Sequence, residues 1–136
     1  MGKTDRGAAW NLSGIWQGEF SYPRNRPAVA FRATLTESSS WIHGVTEEKG
    51  AVGEARGLTI SATLQGRRSG REVTWLKLYD ASYRGYDAVQ YGGEVNEDGT
   101  EILGRWTIHG NWSGRFLMVR AKANVAARSR EAVESL

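Results

Sequence analysis

The feature of this chain that most limits its possible folds is an alternation of apolar and polar residues with a period of two. From Leu12 to Tyr22 the even-numbered positions are apolar or glycine, and most positions between them are polar. Successive side chains of a β-strand point to opposite faces, whereas a helix repeats its apolar positions every three to four residues. The segment therefore predicts a strand with one apolar face.

The same alternation continues along the chain and predicts eight strands. After the first, strands are expected over 28–37, 41–48, 58–64, 71–79, 89–95, 102–108 and 114–123, with a polar turn over 65–70. Short links without helical interludes are typical of a sequential antiparallel sheet. The predicted fold class is therefore all-β, an eight-stranded antiparallel up-and-down β-barrel, and a sandwich is the alternative. Glycines on the apolar faces fit the curvature of a closed barrel: Gly14, Gly18, Gly44, Gly93 and Gly104.

The domain organisation follows from the length of 136 residues, which fits one domain. We expect a flexible leader over 1–10, the barrel over 11–123 and a C-terminal tail over 124–136. The chain has no cysteine and two histidines, so disulfides, thiolate chemistry, a metal site and a cofactor are not expected. No apolar run approaches a membrane span and no secretory signal is recognisable, which predicts a cytoplasmic location.

Charge and motif content exclude two further classes. The 18 Lys and Arg against 15 Asp and Glu give a net charge of +3 that is spread along the chain. A nucleic-acid or membrane partner is therefore not expected. No nucleophile, base and orienting group fall at an interpretable spacing, which favours a non-enzymatic protein.

One end of the predicted barrel is the better candidate for recognition. Alternate links of an up-and-down barrel lie at the same end, which groups the links 23–27, 49–56, 80–87 and 110–113. These links carry residue types that are typical of binding loops, namely Arg24, Arg26, Tyr83, Arg84, Tyr86 and Trp112. We call this end the mouth.

The order of several short motifs resembles the avidin and streptavidin family. The first strand opens with Leu12-Ser13-Gly14-Ile15-Trp16, and similar order and spacing follow in Val73 to Tyr79, Tyr83-Arg84, Val89 to Gly93 and Ile102 to Trp106. The resemblance covers most of 11–120. It implies a barrel that holds a small molecule between aromatic walls, at positions matched here by Trp16, Tyr79, Tyr91 and Trp106. Trp112 is similar to the family's tryptophan in the last mouth loop, which is supplied across a subunit boundary.

The polar positions of that family are not kept. Gly18 stands where the family has Asn, Tyr22 where it has Ser, Val89 where it has Thr, and Arg120 where it has Asp. Each buried polar group left unpaired costs about 1–3 kcal/mol. Tight biotin binding is therefore not expected, and the resemblance implies a divergent member with another small molecule or a peptide end as ligand, or with none.

Strand parity adds charged candidates to this site. It places Glu48, Lys77 and Arg120 on the inward face, where charges are costly unless paired or used. In one hypothesis Glu48 pairs with Arg120 or Lys77 and fixes a polar ligand. In the other, Glu48 faces solvent at its strand end and any pair is structural. The full ligand-binding set is Trp16, Tyr22, Glu48, Tyr79, Tyr91, Trp106, Trp112 and Arg120, while Trp41 and Trp75 are assigned to packing.

Two other functional classes stay open. A structural or interaction protein would have a barrel filled by its own side chains. A haem- or fatty-acid-binding calycin-type barrel is suggested by Gly14 to Gly18 and Tyr22-Pro23, which resemble the start of nitrobindin-type proteins. In either case an apolar outward face on strands five to eight predicts a homo-oligomer, a dimer or a tetramer. That face comprises Leu76, Leu78, Leu103, Leu117 and Val119.

Overall fold

The computed structural model describes residues 10–23, 27–50, 57–80, 88–108 and 112–121. It contains eight strands in the predicted order and, in these ranges, no helix. They are β1 (Gly14–Ser21), β2 (Val29–Ser38), β3 (Trp41–Lys49), β4 (Thr59–Ser69), β5 (Glu72–Tyr79), β6 (Val89–Val95), β7 (Glu101–Ile108) and β8 (Trp112–Arg120).

The strands close into a barrel. Each strand pairs antiparallel with the next one along the chain, and β1 also pairs with β8, where Trp16 lies opposite Arg120 and Phe20 opposite Phe116. Closure leaves none of the eight strands with an unpaired edge. The prediction of an up-and-down barrel is confirmed, and the sandwich alternative is wrong.

Glycine makes the tight curvature of this barrel possible at two contacts. A Cβ atom at Gly104 would collide with the carbonyl oxygen of Gly92 and the Cα atom of Gly93. A Cβ atom at Gly18 would collide with the ring of Phe31. At Gly104 the neighbouring strands approach too closely for a side chain, whereas at Gly18 the Phe31 ring takes the space that a side chain would need. Both agree with the prediction of inward glycines in a closed sheet.

Two predicted boundaries are wrong. The polar turn expected over 65–70 is strand as far as Ser69, and the chain reverses at Gly70, whose φ is +61°. Gln65 and Arg67 are polar because they are exposed on the outer wall, not because they lie in a turn. Likewise β8 already begins at Trp112, inside the link expected over 110–113.

The two ends of the barrel differ in their links. The mouth end carries the links β1–β2, β3–β4, β5–β6 and β7–β8, of which 24–26, 51–56, 81–87 and 109–111 lie outside the described residues. The other end, here called the base, has three short links and receives the chain before β1. There the Trp10 indole donates a hydrogen bond of 2.9 Å to the Glu97 carbonyl, and the Arg68 guanidinium stacks on its ring.

Trp10 therefore belongs to the barrel rather than to a flexible leader. The rest of the predicted leader, 1–9, and the predicted tail, 124–136, lie outside the described residues. The described ranges contain no helix long and apolar enough to cross a membrane.

Candidate functional site

A buried ion pair occupies the mouth-side half of the barrel interior. Glu48 near the end of β3 and Lys77 near the end of β5 both face inward by the alternation of their strands. The Lys77 ammonium donates a hydrogen bond of 2.7 Å to Oε1 of Glu48, and the two side chains are 1% and 2% exposed. The expectation that Glu48 faces solvent is therefore wrong, and its partner is Lys77 rather than Arg120.

Tyr79 joins this pair from β5. Its hydroxyl lies 3.1 Å from Oε2 of Glu48 and 3.3 Å from Oε1, so it donates to the carboxylate. The ammonium and the phenol together supply two donors to one buried carboxylate. We call Glu48, Lys77 and Tyr79 the polar triad.

Aromatic rings surround the ammonium of the triad. The Nζ atom of Lys77 lies 4.8 Å from the ring centroid of Tyr79, 5.0 Å from Phe20, 5.3 Å from Phe31 and 5.8 Å from Tyr91. The negative face of an aromatic ring attracts a cation within about 6 Å. These rings therefore replace part of the hydration that Lys77 loses on burial.

Burial shifts the proton affinities of the triad and of Tyr91. It lowers the pKa of Lys77 below its ordinary value, against the opposing charge and hydrogen bond of Glu48. Burial also raises the pKa of Tyr79 and Tyr91 well above the ordinary value, and the Glu48 charge raises both further. Both phenols therefore stay protonated above about pH 10, where a free tyrosine ionises, and Tyr79 keeps the proton that it donates to Glu48.

Side chains fill the space beside the triad. A gap of about 170 Å³ between them is too narrow for a water molecule, and it is lined by Phe31, Thr46, Leu64, Trp75, Lys77 and Tyr91. The Thr46 hydroxyl is buried there with no hydrogen-bond partner among the described residues. The charged side chains of the triad are 1% and 2% exposed, so a ligand reaches them only by displacing neighbouring side chains.

Three aromatic rings form a second layer at the mouth, which we call the mouth cluster. Tyr22 and Trp112 stack at 5.6 Å, and Trp106 meets them edge-on at 5.7 and 5.6 Å. The Trp106 indole donates a hydrogen bond of 3.0 Å to the Ser21 carbonyl, which fixes its ring. Trp112 is 38% exposed, so the cluster offers an aromatic surface at the rim.

Trp16 and Arg120 do not belong to this site. Arg120 lies at the base, where its guanidinium donates to the carbonyls of Gly99, Ser13 and Asn11 and stacks on Trp16 at 4.6 Å. Parity correctly placed both on the inward side, but it says nothing about height along the barrel axis. Arg120 is therefore not the partner of Glu48, because it lies at the opposite end of the barrel. That Trp16 and Arg120 contact a ligand stays a prediction.

The remaining aromatic predictions have mixed outcomes. Tyr91 is inside the barrel, where it packs on Trp75 and on Phe116, below the rim. Trp75 is a packing residue as expected, whereas Trp41 is 54% exposed on the outer wall. Phe20 and Phe31 were missed as site residues, although their inward parity near the mouth ends of their strands was a usable signal.

The described part of the chain assembles no cluster of His, Asp or Glu side chains for a metal ion. No group of three or more His, Asp or Glu side chains there could hold a metal ion. His43 is exposed on the outer wall, and His109 lies outside the described residues.

Comparison with protein-family models and with curated proteins finds no match for this chain. The resemblance to avidin and streptavidin therefore stays a prediction. The fold itself defines a closed eight-stranded antiparallel barrel with a polar triad buried near one end.

Proposed function

We propose that this protein is a non-enzymatic binding protein that takes a small molecule or a peptide end at the mouth of its barrel. The observation that carries the proposal is the polar triad, buried in the mouth-side half of the barrel, with the partly exposed ring of Trp112 at the rim. The avidin-like reading of the sequence supports the same end of the barrel.

The energetic cost of the triad argues for a binding role. Moving two charges out of water costs several kcal/mol per ion, and a buried pair regains this only with good geometry. Apolar side chains of similar volume would fill the same space without that cost, and such replacements are often neutral or stabilising. Clusters of buried titratable groups are also concentrated at functional sites.

The triad indicates the chemistry of the ligand. Oε2 of Glu48 accepts a hydrogen bond from Tyr79 alone among the described residues, and a carboxylate oxygen has two lone pairs. A ligand with an N–H group that displaces the side chains covering Glu48 can therefore donate to Oε2 while its apolar body contacts Trp112 and Tyr22. Cyclic ureas, lactams and the amino end of a peptide have this combination.

A thermal-shift screen of neutral cyclic ureas, lactams and short peptides tests the proposal. We expect at least one compound to raise the melting temperature of the wild type and to lose that effect in Trp112→Ala. The matched control is Trp41→Ala, which removes an exposed tryptophan from the outer wall and should keep the shift. If no compound stabilises the wild type, or if both variants respond alike, the mouth is not the binding site.

A second function is favoured by the filled interior. The gap beside Lys77 has no room for a water molecule, as expected of a barrel that serves as a rigid scaffold for protein contacts. In that case the screen yields no stabilising compound, and every functional contact lies on the outer wall.

Self-association belongs to the same proposal. Leu103 lies opposite Leu117 on the outer wall, and Leu103 is 58% exposed. Leu76 and Leu78 on β5 are exposed too, but β6 lies between β5 and β7. The exposed apolar surface therefore consists of two separate parts. We propose a homo-oligomer through β7 and β8, which sedimentation of Leu103→Asp against the wild type tests.

A cytoplasmic location is likewise proposed, and cell fractionation tests it.

A further inference from the structure

A groove of about 400 Å³ crosses the outer wall of the barrel, from Trp41 at the base end of β3 to Gln90 near the mouth end of β6. It runs over β3, β4, β5 and β6, and Trp41 and Leu76 are its exposed apolar side chains. Its polar side chains are His43, Gln65, Arg67, Thr74 and Gln90. A volume of this size lies within the usual range of small-molecule sites.

The backbone forms the floor of this groove. Gly66 lies so close to β5 that a Cβ atom would collide with the Thr74 carbonyl oxygen and the Cα atom of Trp75. Gln90 donates from its side-chain amide to the Trp75 carbonyl at 3.3 Å, which holds it against the same floor. The depression therefore follows from the close approach of two strands.

The charge of the groove has one sign. Its lining includes Arg67 and no carboxylate, and Arg67 makes no ion pair with any residue of the described ranges. The guanidinium stacks on Trp41 at 4.8 Å, an arrangement that leaves its N–H edges available to an anion. Two more arginines continue the same outward row of residues across the barrel, Arg105 and Arg115.

We propose that this outer groove binds a planar aromatic carboxylate. The carboxylate pairs with Arg67, whose planar fork of donors matches a carboxylate in a bidentate geometry. The aromatic ring lies on the apolar surface of Trp41 and Leu76, and the amides of Gln65 and Gln90 border it. The single positive charge beside an exposed indole selects an anion with a ring over a neutral ring or a bare anion.

An NMR titration with 1-naphthoate tests the proposal, with the tryptophan indole N–H signals as the readout. We expect the Trp41 signal to shift with saturation, while the Trp112 signal at the mouth stays in place. Arg67→Gln should raise the Kd at least tenfold, because it removes a charge-assisted contact. The matched control is Arg32→Gln, an exposed arginine of β2 outside the groove, which should leave the Kd within twofold.

The neutral analogue 1-naphthylmethanol separates charge from apolar contact. It should bind at least tenfold more weakly than 1-naphthoate, and Trp112→Ala should bind naphthoate as the wild type does. Equal binding of the two compounds, or of Arg67→Gln and the wild type, would overturn the proposal. If Trp41→Ala abolishes self-association in sedimentation, the groove is an interface between copies, and the proposal is wrong.

Discussion

Lys77 and Glu48 belong to strands separated by β4, yet their side chains meet inside the barrel through a hydrogen bond of 2.7 Å. Their side chains are 1% and 2% exposed, so each charge depends on the other and on Tyr79 for the stabilisation that water would give. Removing one partner therefore lowers the free energy of unfolding far more than removing both, because a single removal leaves the other charge buried without compensation.

The first prediction concerns the loss of one partner. Lys77→Met leaves Glu48 as an uncompensated buried charge, and we expect the free energy of unfolding to fall by about 3–5 kcal/mol. Denaturant unfolding measures this. The matched control is Arg71→Met, which breaks the exposed Arg71–Glu94 pair and should cost less than about 1 kcal/mol. Equal effects of the two variants would mean that the Lys77 pair contributes no more than a surface contact.

Alkaline stability depends on Tyr79 and Tyr91, whose pKa values burial raises above the ordinary value near 10. Above that pH the unfolded chain releases phenol protons that the folded chain keeps. The contribution of these two phenols to stability is therefore complete below about pH 10, and above that pH it falls by about 1.4 kcal/mol per pH unit for each tyrosine.

Denaturant unfolding of Tyr79→Phe and Tyr91→Phe between about pH 9 and 11 measures this dependence. In each variant the free energy of unfolding should fall less steeply with rising pH, because one of the two phenols is missing. The lowered pKa of Lys77 acts in the opposite sense up to its unfolded value, because there the unfolded chain binds more protons. Both variants retain Lys77, so the comparison isolates the phenols. An unchanged slope in both would contradict their burial.

Closure of the barrel predicts unequal effects at two glycines that are neighbours across β6 and β7. Gly104→Ala should cost about 1–3 kcal/mol, because its Cβ atom would collide with backbone atoms of Gly92 and Gly93. At Gly92 a Cβ atom meets open space, so Gly92→Ala should stay within about 0.5 kcal/mol of the wild type. Thermal unfolding distinguishes them, and a harmless Gly104→Ala would contradict this register.

The base of the barrel depends on Arg120. Arg120→Gln removes hydrogen bonds to the carbonyls of Asn11, Ser13 and Gly99, and we expect a loss of about 2 kcal/mol in unfolding free energy. Arg115→Gln, at an exposed position of the same strand, should change stability by less than about 0.5 kcal/mol. Equal stability of the two variants would show that Arg120 does not hold the base together.

The fold could be predicted from the sequence because one face of nearly every strand is apolar. Trp16, Phe31 and Ile102 all lie inward, where the period of two places them. The alternation also placed Lys77 inside, against its usual preference for water. The turn over 65–70 was mispredicted because polar composition does not distinguish an exposed strand face from a turn.

The site could be predicted only in part, because the alternation assigns a face but no height along the barrel. Arg120 and Glu48 share the inward face, yet one lies at the base and the other near the mouth. Which partner Glu48 meets depends on the register of three strands, set by backbone pairing that composition does not reveal. The exposure of Trp41 was missed because a tryptophan was assumed to be a packing residue.

The most direct test of the binding role is a calorimetric titration of the strongest thermal-shift compound into the wild type and the double variant Glu48→Leu/Lys77→Met. This double change replaces the buried charges by apolar groups of similar volume, so the free energy of unfolding should be equal or higher. We predict that the Kd rises at least tenfold in the double variant, because the ligand loses its acceptor on Glu48. A Kd within threefold of the wild type, with the fold intact, would contradict the proposal that the polar triad binds the ligand.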